Sequence, residues 1–291
     1  MKAKPGFPPN VALLVSIVAV STASILIRMS GAPPLTIATY RLAFATLMLL
    51  PFYIRSEGPK QLAGSSPRDI LTLAAVGVVL AIHFGSWITS LGLTTVASSV
   101  LFVHVDPIFV AVVSHFILKE RIGRGTLIGI SLALIGAATI AFSDAGVSGT
   151  SLLGDFLALI GAIMLGLYIL AGRKLRQNLD LVSYVTPVYA SSAVTLTVAS
   201  LATGTSLWPY PMSELLLFFA IALVPMIFGH TLYNWTLKWL SAPLVSISLL
   251  GEPVGATILA YILLDEFPSV LALSGGVLIL LGIYQCVRSS R

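Results

Sequence analysis

Asp106-Pro107 followed by Leu118-Lys119-Glu120 returns 146 residues later as Glu252-Pro253 followed by Leu264-Asp265-Glu266, and in both copies the bounding acids stand 14 residues apart. The same gapless offset aligns Leu13 with Leu159, Leu35 with Leu181, Leu71 with Leu217, Leu91 with Leu237, Gly129 with Gly275, Leu134 with Leu280 and Gly136 with Gly282. Leucine matches are expected by chance in an apolar chain. Proline, glutamate and glycine matches on one offset are not. The chain therefore reads as a duplicated module, divided as 1–146 and 147–291.

Composition names the solvent for which the module is built. Of the 291 residues, 57% are hydrophobic and 9% charged, and the mean hydropathy of +1.00 lies far above the balance of water-soluble chains. A helix needs about 20 apolar residues to cross a hydrocarbon core of roughly 30 Å. Ten such stretches occur, near 11–30, 34–54, 69–91, 96–117, 125–143, 152–172, 181–202, 214–238, 243–264 and 270–287. The fold class is thus an all-α integral membrane protein with ten transmembrane helices. The first stretch follows Lys2 and Lys4 as in a signal peptide, but it runs long, ends in Arg28-Met29 without a small-residue cleavage site, and reads as a retained helix. Cys286 is the single cysteine, which excludes an intramolecular disulfide and a cysteine metal cluster.

Lys and Arg accumulate in cytoplasmic loops. Ten crossings with the N-terminus inside place fourteen of the sixteen basic residues on the cytoplasmic side, leaving Arg28 and Arg41 near the outer ends of the first two helices. Both termini are expected to be cytoplasmic, in the inner (cytoplasmic) membrane. The net charge of +5 is then a topology signal, with no basic face for nucleic acid. Because five is odd, the second five-helix copy enters the membrane from the opposite side, and the two repeats are inverted. Inverted repeats mark many secondary transporters, whose substrate site lies near the midplane where the halves meet.

The residues also resemble the drug/metabolite transporter superfamily, in its ten-helix branch of two EamA-type domains. The likeness covers the whole chain: Pro33-Pro34 with Tyr40-Arg41-Leu42, the run from Ala97 through Pro107 to Glu120, Gly129 and Gly136, and the run from Ser241-Ala242-Pro243 through Glu252-Pro253 to Glu266, then Gly275 and Gly282. The resemblance implies efflux of small metabolites, with bacterial exporters of aromatic and other neutral amino acids the nearest in appearance. One departure is the first helix, where the family often carries Trp-Gly and this chain has Ser21-Thr22-Ala23-Ser24.

Ionisable groups inside the membrane need a partner or a wet cavity, since each costs about 2.5–3.5 kcal/mol at a helix centre on insertion scales. Asp106 and Glu252 both sit about ten residues into their helices. The prolines after them, Pro107 and Pro253, lack an N–H, free the carbonyls of Val103 and Leu249, and are expected to bend both helices. The acids are candidates for proton coupling. The alternative is that they bond to neighbouring hydroxyls and hold the repeats together.

His83 and Trp87 lie four apart on the third helix and His230 and Asn234 four apart on the eighth, so each pair shares a face. His104 precedes Asp106 by two residues and points about 200° away from it. The resemblance places these helices around the central cavity. Imidazole and amide groups there suit the charged ends of an amino acid, and Trp87, Tyr168, Tyr233 and Trp235 offer surfaces to an apolar side chain. The candidate cavity lining is His83, Trp87, His104, Tyr168, His230, Tyr233, Asn234 and Trp235. Arg41, a cation inside a crossing, is expected to snorkel to the outer surface, with attraction of a substrate carboxylate as the alternative, and Glu120 and Glu266 are expected to satisfy helix termini or meet Lys119 or Arg121. Gly125, Gly129 and Gly136 on the fifth helix and Gly275 and Gly282 on the tenth allow close approach, as a brace at the periphery of the module or a dimer contact.

The chain has no His-Glu-x-x-His, Gly-x-Ser-x-Gly or Walker sequence, so it lacks the minimum parts of a protease, a hydrolase or an ATP-driven pump, and a membrane-embedded enzyme would explain neither the duplication nor the inversion. Energy comes from gradients, without a cofactor or metal. The expected function is a secondary exporter of small metabolites, amino acids first among them, working by alternating access as a monomer or homodimer. The alternatives are an uncoupled amino acid facilitator and an exporter of another metabolite or drug.

Overall fold

Ten apolar helical stretches run through the computed structural model, which describes residues 5–94, 99, 102–143, 152–264 and 269–289. They are α1 (Pro9–Val20, continued as Ala23–Arg28), α2 (Pro34–Arg55), α3 (Pro67–Ser90), α4 (Asp106–Leu118), α5 (Arg124–Ser143), α6 (Leu152–Leu175), α7 (Leu181–Ala202), α8 (Met212–Thr236), α9 (Ala242–Leu249, continued as Gly251–Leu264) and α10 (Val270–Ser289). Seven are long and apolar enough to cross a membrane; α4, α5 and α10 have shorter apolar runs. Lys2, Lys4, Ala97, Asp265, Glu266 and Arg291 lie outside the described residues.

Local sequence sets the ends. Proline occupies the first turn of α1, α2, α3 and the first part of α9, where its missing N–H costs no helical bond. Ser66 caps α3 by accepting from the Asp69 amide, and Asp180 caps α7 by accepting from the Ser183 amide. Hydroxyls inside the helices mostly bond to the carbonyl one turn back, as Thr39 does to Leu35, Thr46 to Leu42 and Thr89 to Gly85. This satisfies them without water. Large apolar side chains cover the outside, among them Leu14, Val18, Phe52, Leu71 and Val194. The interior instead holds Tyr168, Tyr184, Tyr189 and Tyr233 with no exposure.

The duplication is legible in the packing. Helix pairs α2–α7, α4–α9 and α5–α10 each join a helix to its own repeat partner, while α3–α6 is answered by α8–α1 and α3–α7 by α8–α2. In α5–α10, a Cβ added at Gly129 would lie 2.6 Å from the Gly282 carbonyl, and one at Gly136 would lie 2.5 Å from that of Gly275. The 146-residue offset converts one contact into the other. The two helices run antiparallel, because the earlier residue of one meets the later residue of the other. Helices exchanged by a two-fold axis yet antiparallel must lie across that axis, so it runs in the membrane plane and the halves are inverted. The glycine faces are consumed inside the chain, which is the brace of the two readings and not the dimer contact.

Among the described residues, four helical stretches depart from regularity near the centre. α1 breaks at Ser21-Thr22, where the hydroxyls bond to the carbonyls of Ile17 and Ala19 and Gly255 of α9 packs closely against Ser21. α9 breaks at Leu250, just ahead of Glu252-Pro253, and the turn at His104-Val105 likewise precedes Asp106-Pro107. Over Ala222–Thr231, which contains Pro225, α8 widens to π-helical i→i+5 hydrogen bonding, a local geometry often found at functional sites.

Candidate functional site: a contracted cavity on the two-fold axis

Where the interrupted helices meet, a central cavity is lined by Val20 and Ala23 of α1, Arg41 of α2, His83 and Trp87 of α3, Val103 and His104 ahead of α4, Leu165 of α6, His230 and Tyr233 of α8, and Leu249 and Glu252 of α9. Trp87 and Tyr233 are 146 residues apart, as are Val103 and Leu249. Repeat-equivalent residues therefore face each other across the cavity, and the axis passes through it. The space open to water measures about 30 Å³, room for about two water molecules. Small-molecule sites enclose roughly 300–1,000 Å³, so this conformation is contracted.

Polar contacts close the bundle at both ends. At one end Glu120 accepts from Arg173 Nε at 2.7 Å and from the Ala242 amide at 3.1 Å, capping α9, while Arg173 Nη1 donates to the Leu237 carbonyl at 2.8 Å. Glu120 therefore serves a helix terminus as anticipated, with Arg173 as its cation in place of Lys119 or Arg121. At the other end Glu214 accepts from Ser30 Oγ at 2.6 Å and from the Gly31 amide at 2.9 Å. Tyr40 donates to the Leu207 carbonyl at 2.8 Å.

Five of the eight anticipated lining residues reach the cavity: His83, Trp87, His104, His230 and Tyr233. His83 Nδ1 lies 2.9 Å from the Gly161 carbonyl. A carbonyl only accepts, so that nitrogen carries the hydrogen. The His83 and Trp87 rings are parallel within 9° at 6.1 Å, as expected for residues one turn apart. His230 Nδ1 shares a hydrogen with the Tyr233 hydroxyl at 2.8 Å.

The other three stand elsewhere. Tyr168 and Asn234 form a layer behind the lining, with Asn234 Nδ2 donating to Tyr168 Oη at 2.9 Å and to the His230 carbonyl at 2.7 Å. Trp235 follows Asn234 and is turned away, its ring 6.2 Å from Trp239. The reason is azimuth: each residue advances about 100° around the helix, so neighbours at the same depth face different surroundings.

The two acids also part. Asp106 is 1% exposed, lies off the cavity, and accepts from Ser246 Oγ of α9, linking the halves. Glu252 lines the cavity, with its carboxylate 3.8 Å from His104 Nε2. Arg41, expected at the outer surface, is fully buried in the cavity wall, with its guanidinium carbon 4.1 Å from the centre of the Phe84 ring. Packing between α2, α3 and α7 leaves no route along which to snorkel. Sequence reading offered both places for it and favoured the surface, because hydropathy supplies its depth but not its direction.

A model of the EamA-like transporter family matches twice, over residues 9–142 and 152–288. The chain belongs to the EamA-like transporter family. Similar chains include the uncharacterized transporter YdfC of Bacillus subtilis, 24% identical over 88% of this chain and 82% of the relative. An uncharacterized transporter of Archaeoglobus fulgidus is 25% identical over 94% of this chain and 93% of its own length. A crystal structure of another protein, 18% identical, superposes with a TM-score of 0.78 over 97% of both chains, a likeness of fold. This EamA-like chain is thus a multi-pass membrane transporter of small molecules and not an enzyme.

Proposed function

We propose that this transporter exports small metabolites, aromatic and neutral amino acids first among them, across the cytoplasmic membrane as a secondary carrier. Rocking of the two halves, taken as 1–146 and 147–291, would expose the central cavity alternately to each face. The carrying observation is that cavity: it lies where the two repeats meet, its lining holds the repeat-equivalent pairs Trp87–Tyr233 and Val103–Leu249, and a different polar cluster joins the helix ends on either side of it. A channel requires a path open at both ends at once, whereas two separately breakable closures suit a carrier. Both termini face the cytoplasm in this reading, on the strength of the cation distribution, so the Glu120–Arg173 cluster is the inner closure and Glu214 the outer.

Among the intramembrane acids, Glu252 is the better candidate for proton coupling, because it borders the cavity while Asp106 is tied to Ser246. The test is counterflow in liposomes preloaded with labelled aromatic, aliphatic and charged amino acids, with and without a pH gradient. Saturable exchange of neutral amino acids establishes the carrier, and uphill flux under the gradient establishes coupling. Saturable exchange without uphill flux makes it an uncoupled facilitator. No flux of any amino acid removes the substrate assignment.

A further inference from the structure

Three buried N–H donors on the cavity-lining residues find no acceptor among the described residues: Arg41 Nε, Arg41 Nη1 and Trp87 Nε1. Buried donors of this kind are rare, and an unpaired buried guanidinium is the costliest of them. The aromatic face of Phe84 holds the guanidinium in place without supplying an acceptor. All three donors come from α2 and α3 of the first half. Glu252, the one carboxylate in the lining, comes from α9 of the second half.

From this arrangement we infer that the cavity binds a zwitterion, with the substrate carboxylate on Arg41 and Trp87 and its ammonium group on Glu252. The inference rests on the transporter reading and sharpens its substrate class: an α-amino acid is selected by its charged backbone, while an apolar side chain meets Tyr233 and the aliphatic wall. Arg41 is suited to this task because a guanidinium bonds carboxylates in a fixed plane and stays charged. A ligand held by one group from each half also draws the halves together. Occupancy then favours a bundle drawn in around the ligand, with the cavity wider than in the contracted conformation, and the sites for the two charges separate when either end opens. His104, 3.8 Å from Glu252, orients that carboxylate toward the space.

The test is binding to the purified full chain in nanodiscs, using L-phenylalanine, 2-phenylethylamine, which lacks the carboxylate, and 3-phenylpropanoate, which lacks the amine. The expected result is that each truncated analogue binds at least about tenfold more weakly than the amino acid, the loss of one charged hydrogen-bonded contact. Arg41→Gln should weaken L-phenylalanine and 3-phenylpropanoate and leave 2-phenylethylamine unchanged. Glu252→Gln should weaken L-phenylalanine and 2-phenylethylamine and leave 3-phenylpropanoate unchanged. Such opposite selectivity cannot arise from misfolding.

Equal binding of the amine and the amino acid, equal loss of all three ligands in Arg41→Gln, or binding of neither carboxylate overturns the inference. Displacement of L-phenylalanine by millimolar chloride with no effect of Glu252→Gln would overturn it in favour of a simple anion site. Saturable counterflow of an uncharged or purely cationic metabolite would keep the carrier reading while removing the zwitterion site. Absence of any counterflow alongside selective amino acid binding would do the reverse.

Discussion

His104 and Glu252 face each other across the boundary between the halves, their Nε2 and carboxylate 3.8 Å apart at the wall of the contracted cavity. One belongs to the turn before Asp106-Pro107 and the other to the turn that opens the second part of α9. Each acid-proline pair thus follows a helix interruption, and the second places its acid beside a titratable partner from the opposite half. The acids are equivalent by the repeat, but their surroundings have made them different.

Glu252→Gln should abolish the part of transport that responds to an imposed pH gradient, while exchange at equal pH persists at reduced affinity. Asp106→Asn should leave the gradient response intact, because Asp106 has no place in the cavity wall. Flux of labelled amino acid into liposomes with and without a gradient measures both, and an unchanged gradient response in Glu252→Gln would remove it from coupling.

Ser246→Ala takes away the hydroxyl that Asp106 accepts from and leaves a buried carboxylate without that donor. A loss of about 1–3 kcal/mol is expected, read as a lower thermal midpoint in detergent. Ser248→Ala is the control. Its hydroxyl bonds to the Leu244 carbonyl of its own helix, and its removal should cost less than about 1 kcal/mol.

Glu120→Ala removes the cap of α9 and the partner of Arg173 together. The end of the bundle where α4, α6 and α8 finish should open. In a Cys286→Ser background, a cysteine introduced at Leu165 in the cavity wall should react severalfold faster with a membrane-impermeant maleimide from that side. Labelling from inside-out and right-side-out vesicles also reports which face that is, with the cytoplasmic face expected.

Gly129→Leu places a side chain where the Gly282 carbonyl already stands 2.6 Å from a Cβ. Separation of α5 from α10 should cost more than the 1–3 kcal/mol typical of overpacking, because backbone and not a flexible side chain must yield. Gly123→Ala, with open space around it, should leave the thermal midpoint unchanged within about 1 °C, near-neutral as exposed changes usually are.

Much of the fold could be read from residue types alone. Each apolar stretch must become a helix because lipid offers no partner to a bare peptide group, and five crossings per copy force the inversion. The Asp106-Pro107 and Glu252-Pro253 pairs announced the central interruptions, since proline removes a backbone donor wherever it stands. The one-turn spacing of His83 and Trp87 was enough to put both rings on one face. The loss of regularity in α8 has its sequence signal in Pro225.

The direction in which a buried group points was decided only by tertiary structure. Hydropathy fixes how deep a residue lies, but a helix can be rotated about its axis at no cost in hydropathy, and packing against neighbours sets that rotation. So Tyr168 and Asn234 bond to each other behind the wall, Trp235 turns toward Trp239, and Arg41 sits enclosed over Phe84 instead of reaching the surface. Sequence by itself determined the ten helices, their duplication and the depth of the polar groups. The structure decided which of those groups share the cavity, because that depends on contacts between helices distant in the chain, and pattern within one helix carries no record of them.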